Sequence, residues 1–417
     1  MRRVFRSLRN FNYRVWAAGA LVSNIGTWMQ RAAQDWLVLT QLTQHSASAV
    51  GVVMALQFGP QLLMMPLSGF AADHFNQRKL LMATQATMGA LALILGVLTV
   101  TGLVQLWHVN VFAFLFGCSA ALDAPVRQTF VAELVGDADL SNAIALNSAS
   151  FNAARMVGPA VAGLVIAAVG TPAAFLVNAA SYGAVLVGLK LMREDELRPL
   201  ARAPKARGQL REAFSYVRAR PDLWLTLVLV FFVATFGMNF QVTTALMSKG
   251  VFHTGASEFG LASAVFALGA LGGALAAARR ARPSMRLMLT MAFAFGLLEV
   301  TTGLMPAFWS FLALLVPTGM AVLMFTTAAN SATQLSTTPA VRGRVMGLYM
   351  LVFLGGTPLG SPLVGWAAEQ FGARAGLIGG GVISAVAAVG VALLLARARG
   401  ASLRSVLRPA ALARVTS

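Results

Sequence analysis

The sequence predicts an all-α membrane protein with twelve transmembrane helices arranged in two six-helix bundles. The first observation is composition: the 417 residues are 58% hydrophobic and only 11% charged, whereas soluble domains carry about 25% charged residues. The second is that the apolar residues form runs of the roughly 20 residues that a membrane-crossing helix needs. The third is one long polar connection, residues 193–220, which separates six such runs from six more.

The apolar runs are the candidate membrane spans. They cover residues 14–40, 49–72, 80–103, 108–128, 143–168, 173–192, 222–247, 259–278, 286–305, 308–332, 345–368 and 375–396. The domain boundaries follow from these runs. We expect an N-terminal bundle over residues 1–192, a cytoplasmic linker over 193–220, a C-terminal bundle over 221–396 and a cytoplasmic tail over 397–417. The second part of the linker, QLREAFSYVRAR, has the pattern of a short amphipathic helix at the membrane surface.

Basic residues are concentrated on one side of this arrangement. An even number of spans places both termini on the same side, and 28 of the 32 Lys and Arg residues lie on that side. Positively charged loops stay in the cytoplasm, so we expect both termini to be cytoplasmic, in the inner membrane of a bacterium. The net charge of +18 is therefore a topology signal, and we expect no nucleic-acid partner.

The chain lacks the motifs that catalysis or metal binding would require. Its one cysteine, Cys118, can form no disulfide within the chain, and its four histidines show no ligand spacing. The sequence contains no Gly-x-x-x-x-Gly-Lys nucleotide loop, no nucleophile elbow and no His-Glu-x-x-His motif. We therefore expect no enzymatic activity, no cofactor and no metal, and we expect an ion gradient rather than ATP to supply energy.

The two halves of the chain contain related segments. Residues 158–173, GPAVAGLVIAAVGTPA, align with residues 361–375, SPLVGWAAEQFGARA, with one gap. In this alignment Pro159 matches Pro362, and Gly163 and Gly170 have glycine counterparts. The two segments lie in the fifth and eleventh spans, which is the same place in each half. Two parallel six-helix repeats around a cavity at the bilayer midplane are typical of a transporter.

The turn between the second and third spans, GFAADHFNQRK at residues 69–79, carries an acid and two bases. With Gly69, Asp73, Arg78 and Lys79 in register, it resembles the signature that the major facilitator superfamily has in this turn. The resemblance covers all twelve spans and implies the fold of that superfamily. It also implies that these four residues, with Arg127 from the end of the fourth span, latch the two halves together on the cytoplasmic side. The alternative is an ordinary solvated turn.

The turn departs from the superfamily signature at two positions. His74 stands where a base is usual, and Asn76 stands where glycine is usual. Asparagine is the best substitute for glycine at a left-handed turn position, so Asn76 alters the match to the signature little. Asp73 lies near the C-terminal end of a helix, where an unpaired acid is unfavourable, so we expect it to pair with Arg78, Lys79 or Arg127.

Other segments resemble one branch of that superfamily. Residues 123–135, 145–159 and 341–349 are similar to bacterial exporters such as the enterobactin exporter and the macrolide efflux pumps. Gly158, Pro159 and Gly163 match in part the small-residue motif in span five of drug antiporters, and we expect them to pack helices together. The resemblance implies export in exchange for protons.

Ionisable groups inside predicted spans are costly and are therefore functional candidates. Arg31 and Asp35 are four residues apart and share one face of the first span. Asp35 is the first candidate for the proton carrier, with Arg31 setting its proton affinity. A permanent structural ion pair, or a position at the outer membrane interface, is the alternative.

The remaining charges within spans allow a second coupling site. Asp123 is the acid nearest in sequence to Arg155, and we expect the two to pair, either structurally or as a second site of proton coupling. Glu299 is single in its span, and we expect it to be a satisfied structural acid.

Polar and aromatic residues of several spans are candidates to line a substrate cavity. They are Asn24, Trp28, Gln57, Gln61, Phe236, Asn239, Gln241 and Asn330. Hydrogen bonding between helices is the alternative role for the polar members of this set.

Together these patterns favour a monomeric exporter that moves amphipathic small molecules, drugs or siderophores, across the lipid bilayer. It would exchange them for protons by alternating access. An uptake symporter or uniporter with the same fold, and a lipid flippase or a membrane scaffold without transport, are the alternatives.

Overall fold

A computed structural model describes residues 5–64, 68, 71, 74–197, 209–278 and 284–398, and every regular element within these residues is helical. The first helices are α1 (Phe11–Leu37), α2 (Ala47–Leu63), α3 (Gln77–Val100), α4 (Leu106–Leu134), α5 (Asp137–Val169) and α6 (Thr171–Leu191). A short π-helical segment, Val38–Leu42, extends α1, and single 3-10 turns occupy Arg6–Arg9 and Glu194–Glu196.

The rest of the chain continues with one short helix and a second series of long helices. They are α7 (Gln209–Arg218), α8 (Pro221–Phe232), α9 (Phe240–Leu246), α10 (Ala256–Ala278), α11 (Met285–Leu304), α12 (Phe308–Leu335), α13 (Pro339–Phe371) and α14 (Ala373–Ala398). The helix α7 lies within the predicted linker, where the sequence predicts a short amphipathic helix, and residues 198–208 of that linker lie outside the described residues.

The chain forms two compact units. The N-terminal unit comprises Met1–His45, Val52–Pro204 and Thr254–Ala264, and the C-terminal unit comprises Ser46–Gly51, Lys205–His253 and Val265–Ser417. Neither unit is one continuous segment, because the start of α2 belongs to the C-terminal unit and the start of α10 belongs to the N-terminal one.

Ten stretches of the described part are long and apolar enough to cross a membrane. Nine are single helices, and the tenth is Pro221–Val251, which comprises α8, α9 and the segments between and after them. They make the chain a multi-pass membrane protein. The helix α1 is not among the ten, since it carries Asn24, Arg31 and Asp35 among other polar residues. The helix α2 is apolar but has only 17 described residues. Large apolar side chains such as Leu103, Leu164 and Trp309 are exposed on the surface, as expected of side chains that face lipid.

The helices α5 and α13 match each other in form. Each has 33 residues and contains a proline in its interior, Pro159 in α5 and Pro362 in α13. Each ends at a glycine of positive φ, 86° at Gly170 and 90° at Gly372. Residues other than glycine rarely adopt this backbone conformation. The two glycines that align in the sequence therefore have the same role, which is to end the matching helices α5 and α13.

The seventh predicted span, residues 222–247, is interrupted rather than continuous. The helix α8 leads into a π-helical segment, Val233–Gly237, where the N–H of Met238 donates to Val233 O at 3.0 Å, five residues back. The side chain of Asn239 then donates to the carbonyl oxygens of Thr235 (2.7 Å) and Phe236 (3.4 Å). The hydropathy of the sequence gives no sign of this interruption of the helix, because every residue of the π-helical segment is apolar or small.

Candidate functional site

The buried face of α1 holds the most unusual charges of the N-terminal unit. The side chains of Arg31 and Asp35 are 5% and 1% exposed. Within the described part of the chain, neither Asp35 carboxylate oxygen has a hydrogen-bond partner, and neither does Arg31 Nε. The two residues form no ion pair there, so the shared face predicted from their spacing does not become a closed salt bridge.

Arg31 is surrounded by aromatic rings. Its Cζ lies 4.9 Å from the ring centroid of Trp28, 4.4 Å from that of Phe58 and 6.0 Å from that of Phe116. Cation–π contacts of this kind stabilise a desolvated guanidinium by about 2 kcal/mol or more. The cation is thus held by α1, α2 and α4, which leaves the Asp35 carboxylate free of a bonded counterion.

Three glutamines extend this polar face. Gln57 Nε2 donates to Gln34 Oε1 at 3.4 Å, while Gln34 Nε2 and Gln57 Oε1 have no partner among the described residues. One turn away, Gln30 Oε1 accepts from Asn178 Nδ2 of α6 at 2.6 Å. Gln30 and Gln34 are also four residues apart and form the row next to that of Arg31 and Asp35, and they are not among the residues that the sequence predicts for the site. Each unpartnered amide atom keeps the capacity for a further hydrogen bond.

Asp123, in contrast, is fully bonded. Its Oδ1 accepts from Thr84 Oγ1 (2.7 Å) and Gln85 Nε2 (2.8 Å), and its Oδ2 accepts from Arg127 Nε (3.0 Å). Arg127 Nη1 donates to Asn24 Oδ1 at 3.0 Å. This network joins α1, α3 and α4 inside the N-terminal unit.

The predicted pair of Asp123 and Arg155 does not form. Arg127 stands four residues after Asp123 on the same helix face and takes the position of the cation. The sequence predicts Arg155 as the partner of Asp123, its nearest acid in sequence, and predicts that Arg127 acts at the cytoplasmic turn. Arg155 is half-buried in α5 and makes no hydrogen bond or ion pair to any described residue.

The predicted latch is described only in part. Gly69 and Asp73 lie outside the described residues. Arg78 donates through Nε to Leu189 O at 2.8 Å, at the end of α6, and forms an ion pair with Glu194. Lys79 has an exposed side chain. Arg78 thus binds groups within its own unit.

Asn76 is the N-cap residue of α3. Its backbone has φ −64° and ψ 121°, which is extended and not left-handed, and its Oδ1 accepts from the backbone N–H of Lys79 at 3.0 Å. Asparagine is a favoured N-cap residue for the same reason that it suits turns: its short side chain bonds to nearby backbone groups. Asn76 therefore begins α3.

The predicted packing residues lie at close helix contacts. A Cβ added to Gly158 would lie 2.4 Å from Trp28 Cβ, and a Cβ added to Gly163 would lie 2.2 Å from Gly260 Cα. Pro159 is buried within α5. Glycine at these two positions allows α5 to approach α1 and the first part of α10 closely.

The candidate cavity residues divide between the two units. In the N-terminal unit, Trp28 is 8% exposed, and Gln61 is half-buried one turn after Gln57. Asn24 Oδ1 accepts a hydrogen bond from Arg127. In the C-terminal unit, Asn239 is 1% exposed and bonded on both sides, since its Oδ1 accepts from Ser361 Oγ at 2.9 Å.

The other three candidates of the C-terminal unit are half-buried. Phe236 stacks on Phe232 with ring centroids 6.3 Å apart, and Asn330 Oδ1 accepts from Gln334 Nε2 at 2.7 Å. Gln241 has no described hydrogen bond. Asn239 thus matches the alternative of a helix-bonding role, while Gln241 and Phe236 keep accessible surface.

Glu299 is not the satisfied acid that the sequence predicts. Its side chain is 1% exposed, and its Oε2 has no hydrogen-bond partner in the described part of the chain. A single acid in an apolar span gives no information about its partners, which is why the sequence could not reveal this.

The chain matches a known protein family over almost its whole length. The pattern of the transmembrane secretion effector family, one of the major facilitator superfamily, matches residues 4–409. The chain belongs to this family. The match confirms the predicted superfamily and the multi-pass transporter architecture that the resemblance implied.

Three relatives of this secretion effector family member are transporters by name. The staphyloferrin A transporter of Staphylococcus aureus is 27% identical over 59% of this chain and 62% of its own length. The multidrug efflux pump Tap of Mycolicibacterium fortuitum is 28% identical over 85% of this chain and 89% of the pump. Macrolide efflux protein A of Streptococcus pyogenes is 21% identical over 86% and 90%. The chain therefore spans less than two thirds of the first relative and most of the other two.

Solved transporter structures share the fold. A bacterial homologue of the human lysosomal transporter Spinster, in an inward-facing and unoccupied conformation, aligns with TM-score 0.73 at 16% identity, over 96% of this chain and 99% of that one. A POT family transporter in complex with a thioalcohol-conjugated peptide aligns with TM-score 0.72 at 12% identity, over 93% and 96%. At these identities the likeness concerns the fold alone.

Proposed function

We propose that this chain exports amphipathic small molecules from a bacterial cytoplasm in exchange for protons, by alternating access. The observation that carries the coupling is the surroundings of Asp35. A buried carboxyl with two unpartnered oxygens is unfavourable as an anion, so it holds a proton until water or a donor reaches it. A group whose hydration changes with conformation is what proton coupling requires.

Arg31 would adjust the proton affinity of Asp35 without neutralising it permanently. Its guanidinium is held by the rings of Trp28, Phe58 and Phe116, so a rearrangement of these rings changes its distance from the carboxyl. An approaching cation favours the charged form and releases the proton. Asp123, bonded to Arg127, Thr84 and Gln85, would instead be a fixed structural acid.

The class of substrate follows from the relatives and from the site. Efflux of macrolides and other drugs, and transport of a siderophore, are the activities that the names of related proteins state. The candidate contacts are Trp28 and Gln61 in the N-terminal unit, and Phe236, Gln241 and Asn330 in the C-terminal unit. Such a mixture suits organic molecules that combine rings with hydrogen-bonding groups.

The arrangement in the membrane belongs to the same proposal. We place α1 and α2 across the membrane together with the ten apolar stretches. This arrangement gives twelve spans and two bundles over residues 1–192 and 221–396. The termini, the linker over 193–220 and the tail over 397–417 would face the cytoplasm, in the inner membrane, with the chain acting as a monomer. Gly69 and Asp73, with Arg78 and Lys79, would act in the cytoplasmic latch, whereas Arg127 is bonded to Asp123 and Asn24 within the N-terminal unit.

The proposal is tested in an efflux-deficient bacterial host that expresses the full chain. Accumulation of a panel of labelled macrolides, other drugs and siderophores is measured with and without a protonophore. We expect the wild-type chain to lower the accumulation of at least one compound, the protonophore to restore it, and Asp35→Asn to behave like the empty host. The exposed-acid variant Asp195→Asn is the control and should behave as wild type. Export that persists with the protonophore would contradict proton coupling.

A further inference from the structure

The C-terminal unit contains its own buried acid, Glu299 of α11. The residue lies in the C-terminal part of a membrane-crossing helix, five residues before its end, and is 1% exposed. Its Oε2 is fully buried without a partner in the described residues. It is the counterpart in this unit of Asp35 in the other. Asp123, the third acid within the spans, differs from both because its two oxygens are bonded.

The backbone around Glu299 leaves room for its carboxyl group. A Cβ added to Gly237, the last residue of the π-helical segment, would lie 3.1 Å from Glu299 Oε2. A Cβ added to Gly380 of α14 would lie 3.2 Å from Oε1. Larger residues at either position would occupy the space of the carboxyl group, so the π-helical segment and α14 form a cradle around it.

A hydroxyl group without a partner completes this cradle. Ser384 Oγ is buried, has no hydrogen-bond partner in the described residues, and would lie 2.7 Å from a Cβ on Gly237. Glu299 and Ser384 thus approach the same glycine from two helices. A serine hydroxyl is able to accept from a carboxylic acid or to donate to a carboxylate.

No cation of the described residues pairs with Glu299. On its own helix the other charged residue is Arg286, in the first turn. On α14 they are Arg374 and Arg397, and Arg374 donates through Nη1 to Gly303 O at 2.7 Å, one turn beyond Glu299. On the interrupted span they are Asp222 at the start and Lys249 near the end, and α12 has none.

An ionised carboxylate in such surroundings would lack both water and a counterion. Proteins avoid this state, because the group takes up a proton and becomes neutral instead. The neutral acid has one O–H group that donates and one carbonyl oxygen that accepts. The hydroxyl group of one serine is able to bond to either of them after a small movement of the cradle.

We propose that Glu299, together with Ser384, is a second proton-binding site, which holds its proton while the π-helical segment Val233–Gly237 covers it. Movement of that segment away from Gly380 would admit water, the proton would pass to the water, and the remaining carboxylate would accept from Ser384 Oγ. The inference rests on the proposed proton antiport and deepens it, since each unit then contributes one proton-binding carboxyl.

The test is infrared difference spectroscopy of the full-length protein in lipid, recorded between acid and alkaline pH. Protonated carboxyl groups have a C=O band that disappears on ionisation. We expect Glu299→Gln to lose one component of this band, Asp35→Asn to lose a different one, and the exposed-acid variant Asp195→Asn to lose neither. Ser384→Ala should shift the Glu299 component without removing it.

A carboxyl band in Glu299→Gln that equals the wild-type band at every pH would overturn the inference. If that variant does not fold, Ser384→Ala decides, because an unshifted band in that variant overturns it equally. Failure of the proposed function has a different signature, since wild-type protein would then move no protons with any substrate while the Glu299 band remained. A wild-type proton flux with no Glu299 band would leave the antiport standing and remove this second site.

Discussion

Asp35 and Asp123 are buried acids of the same unit, and their surroundings favour different roles. Asp123 has three hydrogen bonds from Thr84, Gln85 and Arg127, which fix its position. Asp35 has none from the described residues, so its charge is stabilised only after a movement. An acid that must change its protonation state during transport resembles the second case.

The first prediction concerns Asp35→Asn. Asparagine has nearly the shape of the protonated acid but cannot release a proton, so the variant should bind substrate and lose transport driven by a pH gradient. Substrate binding is measured by tryptophan fluorescence of purified protein, and transport is measured in proteoliposomes with an imposed gradient. Wild-type transport and pH dependence in this variant would exclude Asp35 as the proton carrier.

The second prediction concerns Arg127→Ala, which leaves Asp123 with two neutral donors and no cation. Removing one member of a buried ion pair costs about 3–5 kcal/mol. We expect a clear fall in the thermal unfolding temperature of the detergent-solubilised protein. Arg6→Ala, which breaks the more exposed pair with Asp139, is the matched control and should have a smaller effect. Equal effects of the two substitutions would show that the Asp123 network does not stabilise the unit.

Sequence reasoning predicted part of this site, and the reason is helical spacing. The spacing of four residues placed Arg31 and Asp35 on one face, and both are buried on it. The same spacing of four residues links Asp123 with Arg127. The position of Arg155 inside a predicted span instead favoured Arg155 as the partner of Asp123. The aromatic rings around Arg31 come from three helices, and a single sequence carries no information about which helices adjoin.

At the scale of elements, the interrupted seventh span is the clearest difference between expectation and structure. Length and hydropathy predicted the run over residues 222–247 as one helix, and they are insensitive to hydrogen-bond register. The register changes where the Asn239 side chain takes the carbonyl oxygens of Thr235 and Phe236. π-helical segments of this kind occur often at functional sites, and the last residue of this one, Gly237, lies beside Glu299.

The third prediction concerns the contact between α13 and this π-helical segment. A Cβ on Gly360 would lie 1.6 Å from Thr235 O, so Gly360→Ala must displace backbone. Overpacking of this kind costs about 1–3 kcal/mol. We expect a lower yield of monodisperse protein and a lower unfolding temperature. Gly347→Ala on the same helix has open space around its Cβ and serves as the control. A wild-type unfolding temperature in Gly360→Ala would contradict this contact.

At the scale of the whole molecule, composition predicts more of the architecture than any motif does. The length and apolarity of the runs predicted the helices well, and ten stretches of the described part meet both criteria for crossing a membrane. The polar face of α1 removes it from that set because the residues that make it a candidate site also lower its hydropathy. The orientation of the helices in the membrane rests on the distribution of basic residues and stays a prediction.

The fourth prediction is this orientation. With Cys118 replaced by serine, single cysteines at the exposed positions Glu196 and Gly255 are treated with a membrane-impermeant thiol reagent in spheroplasts. Because basic loops remain in the cytoplasm, Gly255→Cys should react from outside and Glu196→Cys should react only after the membrane is opened. The reverse pattern would place the termini outside.

Proton exchange for substrate is the central claim, and the direction of proton movement tests it most directly. Purified protein is reconstituted into liposomes that contain a pH-sensitive dye, and a compound identified in the accumulation screen is added outside. Under antiport, substrate entering down its gradient drives protons out, so the lumen becomes more alkaline, and Asp35→Asn shows no change. A lumen that becomes more acidic would show symport, and substrate entry without any change in pH would show uniport. Either result would contradict the account.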